Sequence, residues 1–290
     1  MAQEGCDYCV MEVSSHALDQ ERVYGIDFET AIFTNLTQDH LDYHKTMENY
    51  LAAKKKLFYN CKNAVINLDD QYSATLMNGL KCNILTYSIN NHSADYQAKN
   101  IRYHSAGNDF EFLDGSELCR VKLKIPGKFS VYNALAVAVC GITLGFSGTD
   151  VANSLSHADG IKGRAEIVPT GKNYTVIIDY AHTPDGLANI LHTFKDCPKN
   201  RLIVLFGCGG DRDKTKRPIM GEIAVRLADF VIVTSDNPRT EDPGEIIKDI
   251  LAGMKKTATP YKVIENRKDA IKYALKTAQA YYFQFFGFQA

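Results

Sequence analysis

The sequence lacks a surplus of charge of either sign: 33 lysines and arginines stand against 34 aspartates and glutamates, for a formal net charge of −1. Nothing in this balance suggests the basic surface that is typical of nucleic-acid binding or the charged patch of a membrane-surface protein. No apolar run approaches the length of a transmembrane helix, and no signal peptide is recognised at Met1. We therefore expect a cytoplasmic globular protein with no nucleic-acid or membrane partner.

Internal repeats and low-complexity segments are absent as well. The eight cysteines are spread along the chain, and we expect them to be the reduced thiols of a cytosolic protein rather than a disulfide framework or a zinc site. A length of 290 residues, 45% of them hydrophobic, suits one large or two medium domains with a sizeable core.

Both ends depart from the pattern of a complete protein. The first residues run directly into a predicted strand over residues 8–13. The last ten, 281–290, are crowded with aromatic side chains after an ordinary helix. We expect a sequence truncated at both ends, with residues 281–290 as an atypical aromatic tail.

The chain divides into two predicted domains, 1–162 and 163–280. The first contains short buried strands and an apolar helix over residues 130–144. Between them, residues 97–125 alternate apolar and polar positions, with turn signals at Gly107-Asn108 and Asp114-Gly115, a pattern that predicts antiparallel pairing. In the second domain, strands such as Thr175–Asp179 and Arg201–Phe206 alternate with helices, which predicts a parallel sheet with helices on its faces. The predicted fold class is α/β.

Three predicted strands of the second domain end in polar loops. These loops are Asp179-Tyr-Ala-His182, the segment 207–213, and Ser235-Asp-Asn-Pro-Arg239. Ligands of parallel sheets bind beyond the carboxyl ends of the strands. We therefore expect the three loops to meet at one edge and to form part of a site.

Lys54 occupies an unusual position in the first domain. It lies within the apolar stripe of a predicted helix over residues 46–58, whereas Lys55 and Lys56 point away from that stripe. An interior ammonium is costly unless it is paired or chemically changed. On the helix alone, a buried stem with its charged head in water explains Lys54 as well.

Glu12 and His40 each end another predicted strand, and both are candidates to face the same interior as Lys54. If the Lys54 amine takes up carbon dioxide, it becomes an anionic carbamate, and a carboxylate, a carbamate and one imidazole then suit magnesium or manganese better than zinc. An idle, solvated carboxylate is the alternative explanation for Glu12.

The loops of the second domain offer two arginines. The glycine-rich segment 207–210 matches no phosphate-loop pattern, and a tight turn explains it as well as a phosphate loop does. Arg212 in the following mixed-charge segment, and Arg239 after Asp236, Asn237 and Pro238, each have a guanidinium fork suited to a carboxylate. A plain turn explains the Asp-Asn-Pro portion about as well.

At this level of detail the sequence resembles the Mur ligases of peptidoglycan synthesis, over about residues 5–280. The segments that carry the resemblance are Met11-Glu-Val-Ser-Ser-His-Ala-Leu18, Asn35-Leu-Thr-Gln-Asp-His-Leu-Asp-Tyr-His44, Ala52-Ala-Lys54, Tyr132-Asn-Ala-Leu135, Gly163-Arg-Ala-Glu166, Asp179-Tyr-Ala-His-Thr-Pro-Asp185, Gly209-Gly-Asp-Arg-Asp-Lys-Thr-Lys-Arg-Pro218 and Asp236-Asn-Pro-Arg239.

The resemblance implies a central ATPase domain, here incomplete, followed by a Rossmann-like C-terminal domain. It implies ATP-driven amide formation through an acyl phosphate, with Mg²⁺ as a cofactor. Within the family the match is to the branch that adds meso-diaminopimelate to UDP-N-acetylmuramoyl-L-alanyl-D-glutamate, and Asp-Asn-Pro-Arg resembles its signature. Diaminopimelate has a second carboxylate for a guanidinium to grip, and lysine does not.

The resemblance also implies roles for individual residues. Glu12, His40 and carbamylated Lys54 would hold magnesium at the catalytic centre. The UDP-linked substrate would contact Ser14, Gln20 and Arg22. ATP would contact Asn133, Arg164, Asp179 and His182, and the incoming amino acid would contact Arg212, Asp236, Asn237, Pro238 and Arg239.

Two family features are not found in this sequence: the phosphate-binding loop expected upstream, and a Gly-His-Glu motif expected after the last helix. We therefore expect the chain alone to be inactive. The alternatives are a non-catalytic remnant that folds without turnover and, ranked lower, an amide ligase similar to folylpolyglutamate synthase, which should lack Asp-Asn-Pro-Arg and the Ser-Ser-His segment.

Overall fold

The computed structural model describes residues 2–104, 106–172, 174–195, 201–255, 258–278 and 282–287. Within these ranges the protein is built from a four-stranded parallel sheet, a three-stranded antiparallel sheet and a six-stranded sheet, each packed against helices.

The first half of the chain supplies the two smaller sheets. Its helices are α1 (Ser15–Asp19), α2 (Leu41–His44), α3 (Met47–Lys55), α4 (Ser73–Met77), α5 (Lys128–Thr143) and α6 (Gly148–His157). Its strands are β1 (Phe28–Phe33), β2 (Cys61–Asn67), β3 (Asn83–Ser88), β4 (Tyr96–Gln97), β5 (Lys99–His104), β6 (Gly107–Asp114) and β7 (Glu117–Leu123).

β2 is the hydrophobic centre of the four-stranded sheet, in which the strand order is β1-β2-β3-β4. Its residues Ala64, Val65 and Ile66 have no solvent exposure, because α3 and α4 cover one face and α5 covers the other. A continuous apolar run of this kind is typical of a strand buried on both faces. The loops after β1 and β2 therefore emerge beside each other, next to the start of α5.

The second half of the chain forms the six-stranded sheet. Its helices are α7 (Pro184–Lys195), α8 (Lys216–Leu227), α9 (Pro243–Ala252) and α10 (Arg267–Thr277). Its strands are β8 (Glu166–Val168), β9 (Thr175–Asp179), β10 (Arg201–Phe206), β11 (Phe230–Val233), β12 (Tyr261–Val263) and β13 (Tyr282–Gly287). The strand order is β12-β11-β10-β13-β9-β8, and every neighbouring pair except β8–β9 is parallel.

The strand predicted over residues 8–13 is wrong, because this segment forms no strand and its side chains are mostly exposed. Val10 is 98% exposed. A β-prone sequence becomes a strand only beside a hydrogen-bonded neighbour, and no described strand pairs with it.

Two further assignments differ from the sequence analysis. Gly107-Asn108 was expected to be a turn, but both residues belong to β6, and Asn108 is fully buried with its side-chain amide donating to the carbonyl oxygens of Ile125 and Gly127. The segment expected to be an aromatic tail contains β13, which lies between β10 and β9.

Seven described cysteines are free thiols. Cys6 and Cys9, whose C-x-x-C spacing the sequence analysis passed over, are both exposed, and Cys197 lies outside the described residues. In the described part of the chain, no helix is both long enough and apolar enough to cross a membrane.

Candidate functional site

Three polar loops share one edge of the six-stranded sheet. They follow β9, β10 and β11 at residues 180–183, 207–213 and 235–241. Because these strands are parallel within one sheet, their carboxyl ends point the same way. This arrangement matches the sequence prediction that the three loops lie at one edge.

A cavity of about 590 Å³ opens where the loop after β9 faces α5 of the first half. The four residues that the resemblance connects with ATP all line it: Asn133, Arg164, Asp179 and His182. Much of the remaining lining is apolar and comes from Leu123, Ile125, Phe129, Val137, Leu155 and Ile161. The cavity thus combines an apolar wall with a few polar groups, as is typical of small-molecule sites.

Asp179 is held at the end of β9 by two backbone hydrogen bonds. Its carboxylate accepts from the N–H of Ala165 at 2.7 Å and from the N–H of Ala181 at 2.8 Å. Burial raises the pKa of Asp179, while these two hydrogen bonds and the charges of Arg164 and His182 oppose the rise. The carboxylate is therefore fixed in orientation at the cavity wall.

Arg164 and His182, which both line the cavity, both contact the ring of Tyr180. The Arg164 guanidinium lies 4.5 Å from the centre of the Tyr180 ring, and the His182 ring meets the same ring edge-on at 5.2 Å. The His182 Nδ1 also lies 3.1 Å from the carbonyl oxygen of Tyr180. Cation–π and edge-to-face contacts of this kind hold a cationic group and an imidazole in place beside a ligand.

The loops after β10 and β11 are joined to each other. The N–H of Gly210 donates to the carbonyl oxygen of Asn237 at 2.9 Å, and Arg239 Nη1 donates to the carbonyl oxygen of Gly210 at 2.6 Å. A Cβ on Gly210 would stand 1.8 Å from the carbonyl oxygen of Pro238, so the two backbones touch. The side chain of Arg212 is exposed beside this contact.

Asp236 is placed differently from the other residues of its motif. Its side chain is only 6% exposed, and its Oδ1 lies 3.5 Å from Nη1 of Arg267 on α10. The sequence analysis assigned Asp236 to the incoming amino acid and gave Arg267 no role. The nearby cation comes from α10, the second helix after this loop, a contact that only the tertiary structure reveals.

Lys54 is half-buried in α3, and its Nζ lies 5.3 Å from the centre of the Tyr50 ring. Burial lowers the pKa of Lys54, and the nearby carboxylates of Glu12, Asp39 and Asp70 oppose that shift. A lowered pKa increases the fraction of neutral amine, which is the form that reacts with carbon dioxide.

His40 borders the same tyrosine, with its ring centre 6.0 Å from that of Tyr50. It adopts a left-handed backbone conformation (φ 55°), and its backbone N–H donates to Oδ1 of Asp39 at 2.9 Å. His16 meets the His40 ring edge-on at 4.9 Å. These contacts orient His40 and place it and Lys54 around one aromatic ring.

In the described residues, no three His, Cys, Asp or Glu side chains are grouped as a metal site. With Lys54 as an ammonium, the set Glu12, His40 and Lys54 does not fit a cation, because one of its members is itself positive. With Lys54 as a carbamate, the same three side chains offer oxygen and imidazole donors that fit magnesium.

Ser14, Gln20 and Arg22 lie around the short helix α1, all with exposed side chains. Ser14 is its N-cap and accepts from the N–H of Ala17 at 3.1 Å. Arg22 Nη2 donates to the Gln20 side-chain oxygen at 2.5 Å. The three residues are thus near one another in the chain and open to solvent.

Asp69 is a site residue that the sequence analysis did not assign. It follows β2, and its carboxylate accepts from the Tyr132 hydroxyl at 2.7 Å and from the Ser88 hydroxyl at 2.7 Å. Although burial opposes the shift, these two hydrogen bonds lower the pKa of Asp69. Both Asp69 and Tyr132 line a second cavity of about 270 Å³, which shares Asn133 with the larger one.

Strained backbone conformations occur in the segments that carry the predicted site residues. Of the seven described non-glycine residues with positive φ, five lie within or directly beside the predicted site residues. These five are Glu21, His40, Ala165, Asp211 and Arg239. Strain of this kind persists only where the surroundings hold it, and it clusters at functional sites.

The chain matches two families along most of its length: the Mur ligase middle domain over residues 1–141, and the Mur ligase glutamate ligase domain over residues 163–281. The chain belongs to the Mur ligase family, which confirms the resemblance seen in its motifs and, with the sheets described above, the predicted fold class.

Among its relatives are two curated proteins named UDP-N-acetylmuramoyl-L-alanyl-D-glutamate--2,6-diaminopimelate ligase. The one from Clostridium botulinum is 49% identical over 281 residues, and the one from Caldanaerobacter subterraneus is 51% identical over 280; each alignment covers 96% of this chain and 58% of the relative. A solved structure of a protein with the same name is 37% identical, has a TM-score of 0.68, and is matched over 99% of this chain and 60% of that one. The chain thus spans about three fifths of the length of these relatives.

Proposed function

We propose that this chain is the part of an ATP-dependent amide ligase that binds the adenosine end of ATP and the amino-acid acceptor, meso-diaminopimelate, for addition to UDP-N-acetylmuramoyl-L-alanyl-D-glutamate. The observation that carries the proposal is the 590 Å³ cavity, where Asn133, Arg164, Asp179 and His182 meet from three separate segments of the chain. A cytoplasmic location belongs to the same proposal, because ATP is its driving cofactor.

The cavity suits a nucleoside. Its apolar wall, which includes Ile125 and Phe129, would pack against an adenine ring, and the Asp179 carboxylate would accept hydrogen bonds from hydroxyl groups. The smaller cavity beside it is lined by polar groups at the ends of β1 and β2 and by Lys128 at the start of α5. The phosphates would extend in that direction, since the two cavities share Asn133.

The acceptor would bind at the joined loops after β10 and β11. Arg212 and Arg239 are exposed there, on backbones that touch at Gly210 and Pro238. Meso-diaminopimelate carries two carboxylates, each of which a guanidinium can grip through a forked pair of hydrogen bonds. L-Lysine lacks the second carboxylate, so the loops would favour diaminopimelate.

The donor substrate would lie near α1, where Ser14, Gln20 and Arg22 are exposed. Magnesium would be held by Glu12, His40 and the carbamate of Lys54, and when bound it would neutralise phosphate charge. In the proposed reaction, the substrate carboxylate attacks the γ-phosphorus of ATP, giving an acyl phosphate and ADP. The acceptor amine then attacks the acyl carbon, and inorganic phosphate leaves as the amide forms.

Calorimetric titration of the purified chain with ADP tests the nucleotide site. We expect saturable binding that weakens about tenfold or more in Asn133→Ala and His182→Ala, since each removes a polar group from the cavity wall. Asn153→Ala, an exposed change on α6, is the matched control and should bind like the wild type. Equal ADP affinity in all four proteins would remove the cavity from the proposal.

The acceptor site is tested by titration with meso-diaminopimelate, with L-lysine as the comparison ligand. Binding of diaminopimelate alone, lost in Arg239→Lys, is the expected result because lysine cannot reproduce the guanidinium fork. Equal binding of both amino acids would count against the proposed specificity, and circular dichroism of the same samples would separate a missing site from an unfolded chain.

A further inference from the structure

The loops after β10 and β11 are tied together by side chains to which neither the family resemblance nor the proposed substrates assign a role. The pair consists of Asp211 in one loop and Thr240 in the other. The Thr240 hydroxyl donates to Asp211 Oδ1 at 2.7 Å, and the Thr240 N–H donates to Asp211 Oδ2 at 3.3 Å. The backbone N–H of Asp211 also donates to Oε1 of Glu241, the residue after Thr240, at 2.6 Å. We call Asp211, Thr240 and Glu241 the inter-loop clamp.

A buried arginine holds the Glu241 end of this clamp in place. Arg217, at the start of α8, is 1% exposed. Its guanidinium donates to both carboxylate oxygens of Glu241, at 2.8 and 3.1 Å, and to the carbonyl oxygen of Gly209 at 3.2 Å. Lys214 lies 2.9 Å from the same carboxylate. These donors hold the pKa of Glu241 far below its ordinary value, so this carboxylate stays charged at neutral pH.

The clamp holds two strained residues. Asp211 (φ 53°) and Arg239 (φ 52°) are both in the left-handed region, where a side chain strains the backbone. Asp211 precedes Arg212 and is itself part of the clamp; Arg239 precedes Thr240. The strained conformations therefore set the direction in which each of the two arginines leaves its backbone.

From these contacts we propose that the inter-loop clamp is a positioning device for the acceptor site: it fixes the spacing of Arg212 and Arg239 so that both guanidinium groups meet one dicarboxylate ligand. This inference rests on the proposed function, which assigns diaminopimelate to these loops. Two cations on a fixed framework bind a dicarboxylate more tightly than two on mobile loops, because less conformational entropy is lost on binding. Asp211, Thr240 and Glu241 act through the arginines and need not touch the ligand.

The clamp is tested with Thr240→Val and the conservative Thr240→Ser. Valine keeps the shape of threonine but removes the hydroxyl that Asp211 accepts, whereas serine retains it. Thr240 is exposed, so both proteins should fold. We measure the affinity for meso-diaminopimelate by calorimetry, and hydrogen–deuterium exchange of the amides in residues 207–213. We expect about tenfold weaker binding and faster exchange in Thr240→Val, the cost of one hydrogen bond to a charged group, and wild-type behaviour in Thr240→Ser.

Either of two results in Thr240→Val would overturn the clamp: unchanged exchange of residues 207–213, or faster exchange together with unchanged diaminopimelate affinity. Equal loss in the valine and serine variants would also overturn it, because the hydroxyl would then not be the cause. If the wild type binds no diaminopimelate, the acceptor assignment of the proposed function fails, and with it the ligand-positioning role; the exchange data would still report separately whether Thr240 orders the neighbouring loop.

Discussion

The carboxylate of Asp179 accepts a hydrogen bond from the backbone N–H of Ala165, 2.7 Å away, and so ties the end of β9 to the segment that carries Arg164. Ala165 is buried and has a positive φ of 47°. Alanine rarely adopts this conformation, because its Cβ then approaches the following carbonyl oxygen. One carboxylate thus holds a strained residue and directs the neighbouring arginine towards the cavity.

Asp179→Asn should weaken ADP binding by about tenfold, because an amide cannot accept from Ala165 and Ala181 with both of its terminal atoms. One of the two backbone N–H groups would face an NH₂ group instead of an oxygen. We also expect a loss of stability of about 1–3 kcal/mol for the unsatisfied donor. Calorimetry with ADP and chemical denaturation measure the two effects.

Asp269→Asn is the matched control for this charge change, since Asp269 lies in the exposed first turn of α10 and pairs with the neighbouring surface Lys272. It should leave ADP affinity unchanged. If Asp269→Asn and Asp179→Asn weaken binding equally, the effect would come from net charge and not from the Asp179 hydrogen bonds.

Lys54 should react with carbon dioxide more readily than the lysines beside it. Because burial lowers the pKa of Lys54, its neutral amine is populated at lower pH than that of an exposed lysine. We expect a carbamate signal in ¹³C NMR of the protein in labelled bicarbonate that grows as the pH rises through the neutral range. The signal should disappear in Lys54→Arg.

Lys55→Arg is the control, because Lys55 follows directly in α3 and donates to the carbonyl oxygens of Thr75 and Asn78. It should keep the carbamate signal. A signal that survives in Lys54→Arg would show that another amine is modified and would remove Lys54 from the proposed magnesium site.

The sequence was sufficient to predict those strands whose structure is determined by their own local pattern of residues. The strands Thr175–Asp179 and Arg201–Phe206 were predicted with their observed bounds, since each is a continuous β-prone run between polar loops. The segment 8–13 has the same character and forms no strand, because pairing depends on a neighbour that the pattern does not specify. The same limit applies to β13, which no pattern placed between β10 and β9.

The candidate site shows the same difference between residues that local motifs indicate and residues that only distant contacts reveal. The family motifs place Arg164, Asp179 and His182 among the expected ATP contacts, and the structure brings all three to one cavity; their role in binding stays a prediction. Asp69 and Arg217 were missed because their importance comes from partners far along the chain: Tyr132 for the one, Glu241 for the other. The division of the chain at residue 162 into two domains stays a prediction.

The hydrogen bond between Tyr132 and Asp69 predicts an acid-sensitive contribution to stability. The folded-state pKa of Asp69 lies below that of the unfolded chain, so its stabilisation is complete above the unfolded value and is lost as the pH falls through the folded one. We expect Tyr132→Phe to lower the free energy of unfolding by about 1 kcal/mol at pH 7. The difference from the wild type should shrink below about pH 4, where the unfolded carboxyl becomes protonated.

Denaturation curves at several pH values measure this difference. Tyr103→Phe is the control, because Tyr103 is largely exposed on β5 and its loss should change stability by less than about 0.5 kcal/mol. A pH-independent deficit in Tyr132→Phe would mean that the ring loses packing, with no contribution from the Asp69 charge.

Gly210 limits how the two acceptor loops can be altered. A Cβ at this position would stand 1.8 Å from the carbonyl oxygen of Pro238 and 2.6 Å from its carbonyl carbon, so Gly210→Ala must push one backbone away from the other. We expect a stability loss of about 1–3 kcal/mol from this overpacking, with loss of diaminopimelate binding because Arg212 and Arg239 separate.

Gly160→Ala provides the comparison, because its added Cβ would meet only Ile125 Cγ1, at an ordinary contact distance of 3.8 Å. It should leave both stability and diaminopimelate affinity close to wild type. Denaturation and calorimetry on the two alanine variants separate the cases: if Gly210→Ala lowers stability but binds diaminopimelate normally, the ligand does not depend on the contact between the loops, and the two arginines do not act as one site.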